Sequence, residues 1–395
     1  MDIVQLLNYA VAFVSVFVVT LYFLLLFAFK KQYDEEPEIT NWTPAVSILI
    51  PAYNEGPYID KCLETLLSMD YPKDKLEIIV IDDGSTDNTA AAAKKYANSG
   101  VNVFTKQNAG KGAALNYGLK KAAGEFIVTM DADSYVMPTT LKQLVAFFKD
   151  DPDTMAVTPA VKIAPSKKTI VELQRIEYLM ILFSRKLLSF LDSVPVTPGP
   201  FSLFRRKVFD EVGGFDENNL VEDQEIALRI QKHHFRIRSS VTAEVYTIPP
   251  DNLNELITQR VRWQRGGIRN YWKYKHMISP EYGDFGMFFI PLNFITLASF
   301  FVVLFLMVNA IFSVPYYTRY IFIESIGLSI DELSVPIFFT VVSVVLWLGL
   351  VLSSFKDEKV RLRDIVLYYF FYWYLMLGYN LLMVYKELTN EKFSW

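Results

Sequence analysis

Residues 126–134 read Phe-Ile-Val-Thr-Met-Asp-Ala-Asp-Ser, and the rest of the chain can be read outward from them. A short apolar run with β-branched members predicts a buried strand. It ends in two carboxylates, Asp131 and Asp133, one residue apart. In an open α/β sheet the ligand lies beyond the carboxyl ends of the strands. Two acids there suit a divalent cation, and the cation suits a diphosphate. All-oxygen ligation of this kind favours Mg²⁺ or Mn²⁺. Taken alone, the same pair also suits a turn or a helix cap.

The flanking sequence repeats the pattern. Val46–Ile50, Leu76–Ile81, Val101–Phe104 and Phe126–Met130 read as strands, the first broken by Pro51, and Ala156–Ile163 resumes strand character. Tyr58–Ser68, Asn88–Tyr96 and Gly112–Ala123 read as helices between them. Alternation of this kind predicts an α/β domain with a mostly parallel sheet and helices on both faces. Each strand end carries polar chemistry. Pro51-Ala52-Tyr53-Asn54-Glu55 offers an aromatic ring and polar groups to a nucleobase. Asp82-Asp83-Gly84-Ser85 offers acceptors for a base NH or ribose hydroxyls, on a turn that Gly84 permits. Gly110-Lys111-Gly112-Ala113 opens a helix, where backbone NH groups and a lysine favour an anion. Together the four ends suit a nucleotide diphosphate. Further on, Glu222-Asp223 opens another helix and supplies a candidate general base for sugar transfer.

Composition points to a membrane. The 395 residues are 52% hydrophobic and 15% aromatic, high for a soluble chain. A net charge of −4 gives no whole-chain attraction for nucleic acid. The single cysteine, Cys62, excludes an internal disulfide and a thiolate cluster, and three histidines do not make a zinc site. Ile3–Phe29 is uncharged and long enough to span ~30 Å of hydrocarbon. It is too long for a cleaved signal, and Asp2 stands where a basic start is usual. Lys30-Lys31 places its far end in the cytoplasm and the amino terminus outside. Gln32–Thr43, with Pro37, reads as a linker. Thr169–Phe190 has an apolar middle, Tyr178–Phe183, between charged ends, which predicts an interfacial helix, a plain buried helix being the other reading. Asn254–Lys275 interleaves Arg260, Arg262, Arg265, Arg269, Lys273 and Lys275 with Trp263, Tyr271, Trp272 and Tyr274, which suits a headgroup surface or a pyrophosphate and a sugar ring. Phe285–Thr318, Ser334–Phe355 and Ile365–Tyr385 are each long enough to span. Lys356, Lys359, Arg361 and Arg363 make the last connection cytoplasmic. Tyr316–Leu333 and the tail after Lys386 are then outside. Phe285–Thr318 exceeds one span, so its start is expected in the interface; two spans there would reverse the downstream topology.

The expected division is a first transmembrane helix (1–31), a linker (32–44), a catalytic domain (45–250), a basic-aromatic interfacial segment (251–284), transmembrane helices two to four (285–387) and a tail (388–395).

The ordered motifs Asp82-Asp83-Gly84, Lys111-Gly112-Ala113-Ala114-Leu115-Asn116, Asp131-Ala132-Asp133, Gly213-Gly214-Phe215-Asp216, Glu222-Asp223 and Gln259-Arg260-Val261-Arg262-Trp263 carry a resemblance. The chain resembles the membrane-integrated, processive-type inverting glycosyltransferases: cellulose, hyaluronan, chitin and poly-N-acetylglucosamine synthases and the nodulation chitooligosaccharide synthases. The resemblance implies a nucleotide-sugar-binding domain of GT-A type. It implies that Tyr53, Asp82, Asp83 and Lys111 hold the uridine part of a UDP-sugar, with Glu55 in the same donor pocket. Asp131 would serve the ribose or the metal, and Asp133 would ligate Mg²⁺ or Mn²⁺. Asp223 would be the base, Gln259 and Arg262 would contact the diphosphate, and Trp263 would lie under the acceptor sugar. Gly199-Pro200-Phe201 resembles the stretch bordering the acceptor. Gly266-Gly267 after the Trp leans towards UDP-N-acetylglucosamine. One span before the domain and about three after it resemble the nodulation enzymes most.

The implied activity is metal-dependent addition of β-linked sugar to a growing glycan, with passage of the product into the membrane region. Transfer of a single sugar to a lipid is the alternative, and a nucleotide-binding transporter is the rival from another class. Implied partners are the UDP-sugar, a glycan or glycolipid acceptor and membrane lipid, with no nucleic acid; the implied location is the plasma membrane with a cytoplasmic active site.

Overall fold

A computed structural model describes residues 2–149, 151–324, 334–389 and 391. The chain enters through α1 (Ile3–Ala28), capped by Asp2, whose carboxylate accepts from the Gln5 NH while the Gln5 side chain accepts from the Asp2 NH. Helix α2 (Lys30–Asp34) follows directly, so the expected linker begins as helix.

The catalytic sheet then builds in the expected order. Strand β1 (Val46–Ala52) is followed by α3 (Ile59–Leu67), β2 (Leu76–Asp82), α4 (Thr89–Lys94), β3 (Val101–Thr105), α5 (Lys111–Lys121) and β4 (Phe126–Thr129). β1 pairs in parallel with β2 and β4, and β2 with β3. Pro51 does not break β1, because a proline near a strand's end forfeits only one ladder donor. Next come β5 (Ser134–Val136), α6 (Thr140–Ala146), β6 (Thr154–Ile163), α7 (Thr169–Ser189), β7 (Ser202–Arg205), α8 (Arg206–Val212), α9 (Glu222–Lys232) and β8 (Arg236–Thr247). The strand order is β3-β2-β1-β4-β7-β6-β8-β5. β7 runs antiparallel between β4 and β6, and β6 pairs in parallel with β8. The sheet is therefore mostly parallel, with a reversed strand at its centre.

Side-chain alternation divides the interior. Ile48, Ile50, Ile78, Val80, Phe126 and Val128 face α3, α4 and α6. Leu49, Ile79, Ile81 and Ile127 face α5, α8 and α9. Both faces are covered, which is why these strands read as nearly continuous apolar runs.

Helix α10 (Leu253–Lys273) carries the basic-aromatic motif. A π-helical turn (Phe285–Phe289) leads into α11 (Ile290–Glu324), one uninterrupted helix rather than two spans. α12 (Ser334–Ser354) follows, then α13 (Leu362–Leu367), a second π-helical turn (Tyr368–Tyr372) and α14 (Trp373–Leu388). Among the described residues, four helical stretches are long and apolar enough to cross a membrane: Ile3–Ala28, Phe285–Asn309, Val335–Ser354 and Leu362–Leu388. Residues 325–333 of the expected external connection, and the tail at 390 and 392–395, lie outside the described residues.

A third core joins the sheet to these helices. Tyr22, Leu25 and Tyr33 meet Ala160 of β6, Leu182, Phe183 and Leu187 of α7, and Phe285, Phe289 and Val351. Helix α7, expected as an interfacial helix with a buried helix as the other reading, packs into this core. Most of its residues are buried, including Glu172, Arg185 and Lys186. Its charges face protein: Arg185 Nη2 donates to the Pro159 carbonyl at 3.0 Å. Lys186 Nζ lies 2.6 Å from Glu36 Oε1, with both side chains almost fully buried. Glu36 also accepts from the Val241 NH at 2.7 Å and from the Ser240 and Thr242 hydroxyls at 2.6 Å each. A residue expected in a solvated linker thus fixes the end of the first apolar helix to β8 and α7.

Candidate active site

The sequence brings four loops to the carboxyl edge of β1–β4. Gly84, at φ +75°, turns the chain after β2. A Cβ there would meet the Asn108 NH at 2.9 Å, so glycine is required both for the turn and for the approach of the β3–α5 loop. Asp82 Oδ1 accepts from the Ser85 NH at 3.2 Å. Asp83 accepts from the Gly110 NH at 2.8 Å, from the Ala109 NH, and from Lys106 Nζ at 2.5 Å. Lys106, which sequence reasoning missed, thus pairs with Asp83. Tyr53 is exposed at the rim. Beside it Asn54, at φ +57°, accepts from the Thr86 NH at 2.8 Å and ties the first loop to the second.

Lys111 instead occupies the centre. Its ammonium lies 2.6 Å from Asp131 Oδ1 and 3.1 Å from Glu222 Oε1. It therefore links the strand-end acids to the Glu222-Asp223 pair, an arrangement spacing alone could not foretell. Carboxylates outweigh burial and hold the Lys111 ammonium firmly protonated. The backbone of Gly199 closes over this pair: a Cβ there would lie 2.5 Å from Asp131 Oδ2 and 2.6 Å from Lys111 Nζ. Gly199→Ala must displace one of the two. The expected result is a fall in kcat/KM on the order of a hundredfold with folding retained, checked by initial rates beside a thermal melt.

Asp133 Oδ1 accepts from the Ser134 hydroxyl at 2.9 Å and the Thr247 hydroxyl at 3.5 Å. Burial, then Asp131, pushes its carboxyl up to about 6. Burial, then Asp133 and Asp131, pushes Glu55 up to about 8. The pocket thus concentrates negative charge in a place of low solvation. Among the described residues no three His, Cys, Asp or Glu side chains converge to hold a metal by themselves. Two carboxylates fit a cation that completes its oxygen shell from a diphosphate and water, as Mg²⁺ and Mn²⁺ do.

Asp223 stands in the first turn of α9. Its Oδ1 accepts from the Gln224 NH at 2.8 Å, and its carbonyl accepts from the Thr197 NH and hydroxyl at 3.2 and 2.9 Å. The segment carrying Gly199 is thereby pinned to the candidate base. Burial, then Glu222, pushes the Asp223 carboxyl up to about 6.

Helix α10 is seated against the start of α9. A Cβ on Gly266 would meet Val221 Cγ2 at 2.4 Å. Buried Asn270 donates to Gln224 Oε1 at 3.1 Å and accepts from Asn219 Nδ2 at 2.8 Å. Gln259, Arg262, Trp263 and Gly266 recur at the i, i+3, i+4, i+7 spacing of one helix face. Gly266 on that face packs against Val221, the residue before the Glu222-Asp223 pair. Gln259 Oε1 accepts from Arg260. Arg262 and Trp263 are half-buried. Asn270 carried no signal in the sequence beyond its place on the helix.

Residues 47–213 match the Glycosyl transferase family 2 model. The chain carries a glycosyltransferase family 2 domain. It is 30% identical over 252 residues to the poly-beta-1,6-N-acetyl-D-glucosamine synthase of Staphylococcus aureus strain COL, covering 63% of this chain and 61% of that protein. It is 30% identical over 234 residues to the Staphylococcus epidermidis synthase of the same name, covering 58% and 56%. The chain thus spans about three fifths of the length of these relatives. The fold is that of the mannosyltransferase PcManGT from Pyrobaculum calidifontis, with a TM-score of 0.63 at 20% identity over 90% of this chain and all of that one. The expected GT-A glycosyltransferase fold is therefore present, and the family 2 domain covers the strand-end acids, Lys111 and Gly199.

Proposed function

We propose that this family 2 glycosyltransferase is an inverting, membrane-bound enzyme that adds β-linked N-acetylglucosamine from UDP-N-acetylglucosamine to the non-reducing end of a growing glycan. The observation that carries the reading is the joining of Asp131 to Glu222 through Lys111, with the proposed base, Asp223, next in the chain. The staphylococcal relatives support the sugar. Asp223 takes the proton from the acceptor hydroxyl as its oxygen bonds to the anomeric carbon. The bond from that carbon to the diphosphate oxygen breaks on the opposite face, and configuration inverts. Tyr53, Asp82, Asp83 and Glu55 surround the uridine end of the donor. Gln259 and Arg262 meet the diphosphate, and Trp263 carries the acceptor ring. Asp133 and Asp131 would hold Mg²⁺ or Mn²⁺; PcManGT was solved with GDP-Man and Mn²⁺. Bound there, the cation offsets charge on the departing diphosphate.

The basic connection between the last two spans and Lys30-Lys31 support a cytoplasmic active site, with the amino terminus outside the plasma membrane. The domain division is that given by the sequence, and the product passes towards the spanning helices.

The test is incubation of the purified full chain with each of a panel of UDP-sugars and Mn²⁺, measuring UDP release and sizing products by mass spectrometry. UDP release confined to UDP-N-acetylglucosamine, with a ladder of N-acetylhexosamine products, is expected. A lipid bearing one sugar would replace this with the non-processive reading, and no UDP release from any donor would overturn both.

The pH profile follows from Asp223. The base works only when ionised, and its carboxyl is raised to about 6 by burial and Glu222. With Mn²⁺ saturating, so that Asp133 stays ionised, kcat/KM is expected to fall about tenfold per pH unit below that point and to plateau above it. A flat profile down to about pH 5 would remove the base from the rate.

A further inference from the structure

Arg260 lies inside the Gln259–Trp263 motif, where its Nη1 donates to Gln259 Oε1. It is 2% exposed. Its guanidinium carbon lies 4.3 Å from the centroid of the Trp263 ring. Its Nη2 donates to Glu177 Oε2 at 2.6 Å. That same oxygen accepts from the Tyr372 hydroxyl at 2.7 Å. Glu177 belongs to α7, and Tyr372 closes the π-helical turn before α14. One carboxylate thus joins a helix of the catalytic lobe, the motif helix and a spanning helix. The Tyr372 ring is itself braced by Tyr368, stacked at 4.8 Å and 18°. π-Helical turns redirect side chains and gather at functional places.

We infer that Glu177, Arg260 and Tyr372 form a positioning device that sets the plane of Trp263 and so tunes acceptor binding; this rests on the placement of the acceptor sugar on Trp263 under Proposed function. A guanidinium is a rigid plane whose fork fixes its orientation. Lying over one face of the indole, it leaves a pyranose the opposite face. The fork is oriented by Glu177, and Glu177 is oriented by Tyr372. A tilt of the spanning helix that moves Tyr372 is therefore passed to the acceptor platform. An Arg260→Lys substitution keeps the charge and loses the plane, which separates orientation from electrostatics.

The test uses the full chain in detergent with UDP-N-acetylglucosamine and short β-linked N-acetylglucosamine oligosaccharides. Tyr372→Phe removes one oxygen and keeps the ring; Arg260→Lys keeps the cation. The acceptor KM is expected to rise roughly fivefold in Tyr372→Phe, with donor KM and acceptor-free UDP release of that variant within about twofold of the unaltered protein, and to rise further in Arg260→Lys. Donor and acceptor KM rising together in Tyr372→Phe would reduce the cluster to a structural role and overturn the inference. So would an acceptor KM unchanged in both variants while UDP release stays normal. If Arg260→Lys does not fold, Tyr372→Phe alone decides. Absence of UDP release from the unaltered protein with every UDP-sugar overturns the proposed function first and this inference with it.

Discussion

Replacing Asp223 with asparagine is expected to lower sugar transfer by about a hundredfold to ten-thousandfold, with donor affinity nearly unchanged. Asparagine has the same shape and keeps an oxygen where Asp223 Oδ1 accepts from the Gln224 NH. The Thr197 contacts go to the backbone carbonyl and survive. What disappears is the capacity to take a proton. The neighbouring Glu222 cannot substitute, because its carboxylate is engaged by Lys111. Calorimetric binding of UDP beside single-turnover transfer would separate the two effects. Transfer at the normal rate would strike Asp223 from the mechanism.

Glu36→Ala is expected to destabilise the protein by about 3–5 kcal/mol, seen as a lowered melting temperature of the detergent-solubilised chain. Burial alone would raise the Glu36 carboxyl, but Lys186 and the hydroxyls of Ser240 and Thr242 outweigh it and hold it low. Burial wins at Lys186 and pulls that ammonium's pKa down despite Glu36. The lysine is therefore the partner that suffers if left alone. Removing Glu36 strands a cation that is 2% exposed. The Glu36→Ala, Lys186→Met double substitution should recover most of the loss, since it removes both charges. The sign with pH is also fixed: the Glu36 contribution is complete above the unfolded carboxyl value of about 4.3 and fades as pH falls through the lower folded value. A single substitution as stable as the parent would mean that this ion pair does not hold the helix to the sheet.

The four parallel strands and their polar ends were legible because each is a nearly continuous apolar run closed by a polar break. β7 was not legible: four residues, Ser202–Arg205, give too short a run to declare a period. β8 was hidden differently, since Arg236, Arg238, Ser239, Ser240 and Glu244 interrupt its alternation; of these, Arg238, Ser240 and Glu244 bond to α7, the Glu36 segment and β6 in turn. The extent of α7 could be read, but not the direction of its charges. An apolar segment with lysine and arginine at one end looks alike whether those ends meet headgroups or buried partners. In the site, residue types and spacings pointed to Asp131, Asp133 and Asp223, whereas the pairing of Lys106 with Asp83 depends on how a loop folds back. Asn270 and Glu177 are partners by tertiary contact alone and left no local trace.

The shared core in which Tyr22, Phe183 and Val351 meet β6 bears on any effort to obtain the catalytic lobe alone. Cutting away the greasy helices would not trim a tether from a finished globule; it would split one cooperative unit and leave α7 with a sticky, dewetted flank. A truncated version kept in water should therefore clump unless that flank is repainted with polar residues, and heating the intact protein should give one melting event rather than two.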